Sequence, residues 1–188
     1  MNTIVWRVEA TGAPVALRPC GTCGADAKFT STGMFRVNAQ KKRLDVWLVY
    51  RCATCGNVWN SAVISRMRPG GIDREELGRF TGNDPATALR CALDVGLLRR
   101  NGARRGKVAF AVEGDLPDGR EDCRVEIDGG GLAGLRLAEV LRVKLGVSRS
   151  GLARLVEAGD VSADDGADVL AAKLRPHQTI LVRGRREQ

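Results

Sequence analysis

The pentapeptide Cys20-Gly21-Thr22-Cys23-Gly24 returns as Cys52-Ala53-Thr54-Cys55-Gly56, with 28 residues between Cys23 and Cys52. A CxxC turn aims two thiolates at one point, and two such turns supply the four ligands of a tetrahedral structural zinc site, each sulfur about 2.3 Å from the metal. The glycine after each second cysteine can adopt positive φ, which turns backbone N–H groups toward the sulfurs. A hairpin running from about Lys28 through Arg51 fills the spacer and returns the chain to the metal. These four cysteines are therefore the expected ligands of a structural Zn2+ ion.

Other cysteine chemistry fits less well. A redox dithiol needs a single CxxC at a helix start inside a βαβ unit. Catalytic zinc keeps a position open for water and draws on histidine or carboxylate ligands. The single histidine, His177, lies at the far end of the sequence and reads as a polar turn residue. Cys91, on an apolar helical stretch, and Cys123, at a strand start, read as buried thiols.

The charge is distributed unevenly. Residues 1–66 carry 9 Lys/Arg against 3 Asp/Glu, residues 67–130 carry 11 against 12, and residues 131–188 carry 10 against 7, which places the +8 excess at the two ends. A basic chain favours polyanionic partners, although net charge does not dictate a fold. Six of the eight aromatic residues fall in the first 66 positions. This suits a β-rich module built on aromatics. The N-terminus lacks the apolar stretch of a secretory signal, and no apolar run approaches the roughly 20 residues needed to span a bilayer. A cytoplasmic protein without membrane contact is expected.

The segment from Leu44 to Arg51 alternates, with Leu44, Val46, Leu48 and Tyr50 on one face and Asp45, Trp47, Val49 and Arg51 on the other. Thr3–Glu9 and Phe35–Asn38 also read as strands, with Lys41, Lys42 and Arg43 at a basic hairpin tip as candidate RNA phosphate contacts. Asp73 and Asp84, the latter before Pro85, are expected helix caps, and the second helix is expected to run to a stop at Asn101-Gly102. Strands are predicted within Lys107–Glu113 and Cys123–Asp128. The fold class is α+β in three parts: a zinc ribbon over 1–66, a helical and two-strand segment over 67–130, and a small module over 131–188.

In the last part, Leu135–Gly146 reads as an amphipathic helix ended by glycine, and Ser148 caps a second helix that stops at Gly159. A short strand from Val161 and a closing strand toward Val182 follow. Arg136, Arg142, Lys144, Arg149 and Arg154 lie on these two helices, where cations serve as phosphate contacts.

The pattern Arg136-Leu137, Leu141, Leu145-Gly146, Ser148-Arg149, Leu155, Gly159-x-Val161 and Arg175-Pro176-His177-Gln178-Thr179-Ile180 resembles the ribosomal-protein-S-four-type RNA-binding domain over about 50 residues. That resemblance implies that two helices meet structured RNA through Arg136, Arg142, Lys144, Ser148, Arg149 and Arg154. The chain departs from the pattern at Ala138, at Gly151 and in the acidic turn Ala163-Asp164-Asp165-Gly166. More of the chain is similar to the uncharacterised bacterial family DUF1062, through Cys20-x-x-Cys23-Gly24, the run Phe35–Leu48, Tyr50-Arg51-Cys52-x-x-Cys55 and Trp59-Asn60. That likeness implies no activity.

The leading expectation is a non-catalytic RNA-binding protein, in which ribbon and two-helix module present a composite basic surface to structured RNA, ribosomal or transfer RNA being the candidates. One rival makes the face around Trp47 a protein-docking surface. Another is RNA modification, but Gly129-Gly130-Gly131 lacks G-x-G-x-x-G spacing and no nucleophile–base pair is visible. Asp84 and Asp94 read as caps or solvated surface groups.

Overall fold

The computed structural model describes residues 2–39, 43–132 and 134–184. Among them are two five-stranded sheets and five α-helices, an α+β arrangement. The chain divides into two compact units, residues 12–109 and residues 1–11 with 110–188. This replaces the expected division at 66 and 130. The first strand leaves the ribbon, and the middle segment is shared out, its helices to one unit and its strands Phe110–Glu113 and Cys123–Asp128 to the other.

The unit of residues 12–109 is built on strands β2 (Ala16–Cys20), β3 (Ala25–Asn38), β4 (Leu44–Cys52), β5 (Val58–Met67) and β6 (Arg104–Arg105), in the order β5-β4-β3-β2-β6. The β3–β4 hairpin is the connection foreseen between the cysteine pairs. β3 is longer than its sequence signal, running 14 residues with an irregularity between Ser31 and Phe35. Alternation along β4 buries Leu44, Val46, Leu48 and Tyr50, as a half-covered strand requires.

The covering elements are α1 (Arg74–Thr81), α2 (Pro85–Leu93) and α3 (Val95–Arg100), which contribute Phe80, Ala88, Cys91, Ala92, Leu97 and Leu98 to one core with Phe29 and Tyr50. Phe80 meets Phe35 edge to face at 5.0 Å between ring centroids. Asp73 caps α1 by accepting from the Glu76 N–H, and Asp84 caps α2 by accepting from the Thr87 N–H, each at 2.7 Å. The single helix expected to reach Asn101 is two. Asp94 leaves helical geometry and caps α3 through the Leu97 N–H at 2.9 Å, so the periodic apolar pattern continues across a break.

The other unit contains β1 (Asn2–Ala10), β7 (Phe110–Glu113), β8 (Cys123–Asp128), β9 (Val161–Ala163) and β10 (His177–Val182), ordered β7-β1-β8-β10-β9. β1 runs parallel to β8, with Ile4 opposite Val125 and Trp6 opposite Ile127. Helices α4 (Leu137–Leu145) and α5 (Arg149–Glu157) add Leu137, Val140, Leu141 and Leu152 to a core holding Trp6 and Ile180, all fully buried. Trp6 satisfies its indole N–H by donating to the Asp115 carbonyl at 2.7 Å. No described helix is long and apolar enough to cross a membrane.

Candidate metal centre and basic cavity

The ends of β2 and β4 bring the two CxxC turns together. The sulfurs of Cys20, Cys23, Cys52 and Cys55 all lie within 4.8 Å of one another. Cys20 Sγ is 3.6 Å from Cys55 Sγ, and Cys23 Sγ is 3.8 Å from Cys52 Sγ. A tetrahedron with metal–sulfur bonds of about 2.3 Å has edges of about 3.8 Å, so these spacings match a four-thiolate site.

The two turns are built alike. Gly24 N–H donates to the Cys20 carbonyl and Gly56 N–H to the Cys52 carbonyl, each at 2.9 Å. Gly24 and Gly56 sit at φ 71° and 72°, a conformation in which a Cβ costs energy. Cys52 donates its N–H to the Asn57 carbonyl and Ala53 donates to the Lys28 carbonyl, both at 2.8 Å, which fastens the second turn to β3.

The backbone also readies the sulfurs for a cation. The Cys23 N–H above all pulls the Cys20 thiol down to about 6. Cys52 is lowered by the N–H groups of Cys55 and then Thr54. Cys23 is pushed up to about 12, chiefly through its interactions with the Cys55 and Cys20 sulfurs. A divalent cation among four sulfurs displaces such shared protons, because coordinated thiols are deprotonated outright. The cluster can hold a metal ion such as zinc. Cys91 and Cys123 are separate and buried, and burial raises both thiols, Cys91 to about 11.

Near this cluster in the chain, Arg18 lays its guanidinium over the Trp59 ring at 4.4 Å from the centroid. Trp59 in turn meets Phe29 edge to face at 5.8 Å. The sequence offered no signal for this stack beyond Arg18 standing two residues before Cys20.

The C-terminal unit holds a cavity of about 650 Å³ between α4 and α5, lined by Arg136, Arg142, Arg149 and Glu139 with apolar walls from Leu152 and Leu170. Arg142 is half-buried, and its Nε is buried without a hydrogen-bond partner. Three of the five helical cations singled out from the sequence therefore converge. Lys144 and Arg154 do not line the cavity. Lys144 directs its ammonium to the carbonyls of Val112, at 3.1 Å, and Gly114, while Arg154 is exposed on α5. Ser148 caps α5 by accepting from the Gly151 N–H at 3.0 Å. Arg43 is exposed just before β4, and Lys41 and Lys42 lie outside the described residues.

Glu139 was not anticipated, because a glutamate in the first turn of a helix reads as dipole compensation. The acidic turn is neutralised locally. Asp164 pairs with Arg124 at 3.0 Å, and Asp165 pairs with Arg175. The Arg175 side chain, with the Ala167 N–H next, holds the Asp165 carboxyl below its ordinary range.

Paired cysteine turns at the strand ends of one sheet, together with a separate sheet-and-helix unit that carries an arginine-lined cavity, define a two-unit protein with a four-cysteine cluster that can hold a metal ion. The family model described as "Protein of unknown function (DUF1062)" matches residues 37–167. The chain belongs to that family. Comparison with curated proteins gives no significant match, and comparison with solved structures gives none either.

Proposed function

We propose that this protein is a non-catalytic RNA-binding protein that recognises structured RNA through α4 and α5, with a structural zinc ion held by Cys20, Cys23, Cys52 and Cys55. The observation that carries the reading is the convergence of Arg136, Arg142 and Arg149 on one cavity, with the Arg142 Nε buried and unpartnered. An RNA phosphate in this cavity would offer acceptor oxygens and negative charge together to the three guanidinium groups. Guanidinium groups suit phosphate because their planar forks bind it in bidentate fashion. The likeness of this segment to the ribosomal-protein-S-four-type domain supports a structured RNA, ribosomal or transfer RNA being the candidates.

Zinc in this reading has a structural role. Four sulfurs fill a tetrahedral shell and leave no position for a reacting water. The ion joins the ends of β2 and β4, and its binding free energy contributes to the stability of the ribbon unit.

Titration of the full-length protein with a labelled hairpin RNA over a range of salt concentrations tests the reading. Tight binding that weakens at least tenfold in Arg142→Gln/Arg149→Gln supports it. Unchanged binding in that variant, or no binding at 50 mM salt, refutes it.

A further inference from the structure

Helices cover one face of the sheet in the ribbon unit, and β4 sends a second set of side chains to the opposite face. Asp45, Trp47, Val49 and Arg51 alternate with the buried Leu44, Val46, Leu48 and Tyr50. In register, Arg36 of β3 and Ala62 of β5 flank Trp47, while Thr30 and Val58 flank Arg51. Lys28 lies two residues beyond Thr30 on the same face of β3, since side chains on a strand alternate.

The charges of this face are unequal in availability. The side chains of Lys28, Arg36 and Arg51 are exposed and have no ion pair or hydrogen bond among the described residues. The acids are engaged. Asp45 accepts from the Arg66 N–H at 2.7 Å, and Asp26 lies 3.8 Å from Arg104. Trp47 is half-buried, and among the described residues neither a ring nor a cation stacks on its indole. Val58 is 45% exposed.

We infer that this outer face, with Trp47 as a stacking platform and Lys28, Arg36 and Arg51 as phosphate contacts, binds a single-stranded RNA segment. Aromatic side chains within a positively charged surface hold single strands without reading sequence, because every base has a π-face. Successive rows on one face of a strand are about 6.8 Å apart, so Trp47 and Arg51 lie about 13–14 Å apart, within reach of one short oligonucleotide. Paired bases in an RNA helix cannot be splayed onto an indole, which separates this occupant from the structured RNA assigned to α4 and α5. An apolar protein partner fits less well, since docking would strip water from three unpaired cations.

The inference is independent of the two-helix reading, and one experiment keeps them apart. A fluorescein-labelled ten-nucleotide oligouridine and a labelled RNA hairpin are each titrated by anisotropy, at 50 mM salt, against the metal-loaded full-length protein. For oligouridine, Trp47→Ala is expected to weaken binding about tenfold, while Trp47→Phe stays within about threefold because a flat ring remains. Arg36→Gln/Arg51→Gln is expected to flatten the salt dependence by about 1.4 in log–log slope, which corresponds to two single-strand phosphate contacts. Arg142→Gln/Arg149→Gln leaves oligouridine binding unchanged and reduces only hairpin binding. The double arginine variant alters exposed side chains only, so it carries the test should Trp47→Ala fail to fold. The inference is overturned if wild type does not bind oligouridine, if the Trp47 and Arg36/Arg51 variants bind it as wild type does, or if only the α4–α5 variant loses it. It is also overturned if the Trp47→Ala change abolishes a nuclease-resistant protein complex while leaving oligouridine binding intact.

Discussion

The ammonium of Lys144 donates to the main-chain carbonyl of Val112 at 3.1 Å and also reaches that of Gly114, tying α4 to β7 and the loop after it. The same group lies 5.9 Å from the centre of the Trp6 ring. In the sequence Lys144 looks like Arg142, a cation near the end of a basic helix; in the fold one holds protein and the other lines a cavity. Lys144→Ala should therefore lower stability by about 1 kcal/mol, the worth of an ordinary hydrogen bond. Hairpin RNA affinity and its salt slope should barely move. Thermal unfolding paired with a salt titration separates the two effects.

For Arg142 and Arg149 the order is reversed. The double change to glutamine should leave the unfolding temperature within a few degrees of wild type and lower the log–log salt slope of hairpin binding by about 1.8, that is about 0.9 for each duplex phosphate no longer neutralised. Weaker binding with an unaltered slope would argue against phosphate recognition by these two side chains.

The four-sulfur cluster predicts one zinc per chain by metal analysis. Cys52→Ser/Cys55→Ser should abolish that equivalent and unfold the ribbon unit, because apparent binding free energies of structural zinc are about 10–16 kcal/mol at neutral pH. Chelator treatment of wild type should give the same loss of protection for β3 and β4 amides in hydrogen exchange. Thiol titration should rise from two accessible groups or fewer to the five of the ribbon unit, Cys123 staying buried in the other unit.

Gly56→Ala tests the turn that aims the second cysteine pair. Open space surrounds the position, so the cost comes from the positive φ of 72° alone, about 1–2 kcal/mol. Zinc content should remain stoichiometric while the unfolding temperature falls. Loss of zinc would mean that the turn, and with it the sulfur geometry, had changed.

The pair Asp165–Arg175 sets a pH dependence. The carboxyl is held below its ordinary value of 3.8 in the folded protein, so the unfolded state binds the proton more readily. The stabilisation is complete above the unfolded value and disappears as pH falls through the folded one. The difference in unfolding temperature between wild type and Asp165→Asn should thus be constant from pH 7 to about 5 and close below about pH 4. A difference that widens in acid would contradict the assignment.

The four-cysteine cluster was legible because its signal is local: two short turns, each carrying its own pair of thiols and its own glycine. Helix caps were equally legible, as Asp73, Asp84 and Ser148 show, since a side chain and an N–H three residues later decide them. At Asp94 the capping role was within the expected readings, but the apolar period of Ala88, Ala92 and Leu97 carries across it and hides the restart of the helix there. The partner of β1 was not legible at all. Its alternation announces a strand, but nothing near Trp6 in the sequence points to Ile127, 121 residues away. Likewise the five helical cations looked equivalent until the packing of α4 distinguished the side chains that line the cavity from the one that braces the fold.

The parallel pairing of β1 with β8 imposes an order of events on a ribosome. β1 leaves the exit tunnel before residues 12–109, and its neighbours β7 and β8 are synthesised only after the whole of that unit. The ribbon unit, continuous in sequence, can close, and its four cysteines can take up a metal ion, while β1 still has no strand to pair with. Zinc supply during translation would then govern how soon the intervening chain becomes compact, and with it how far apart β1 and β8 are when they first meet.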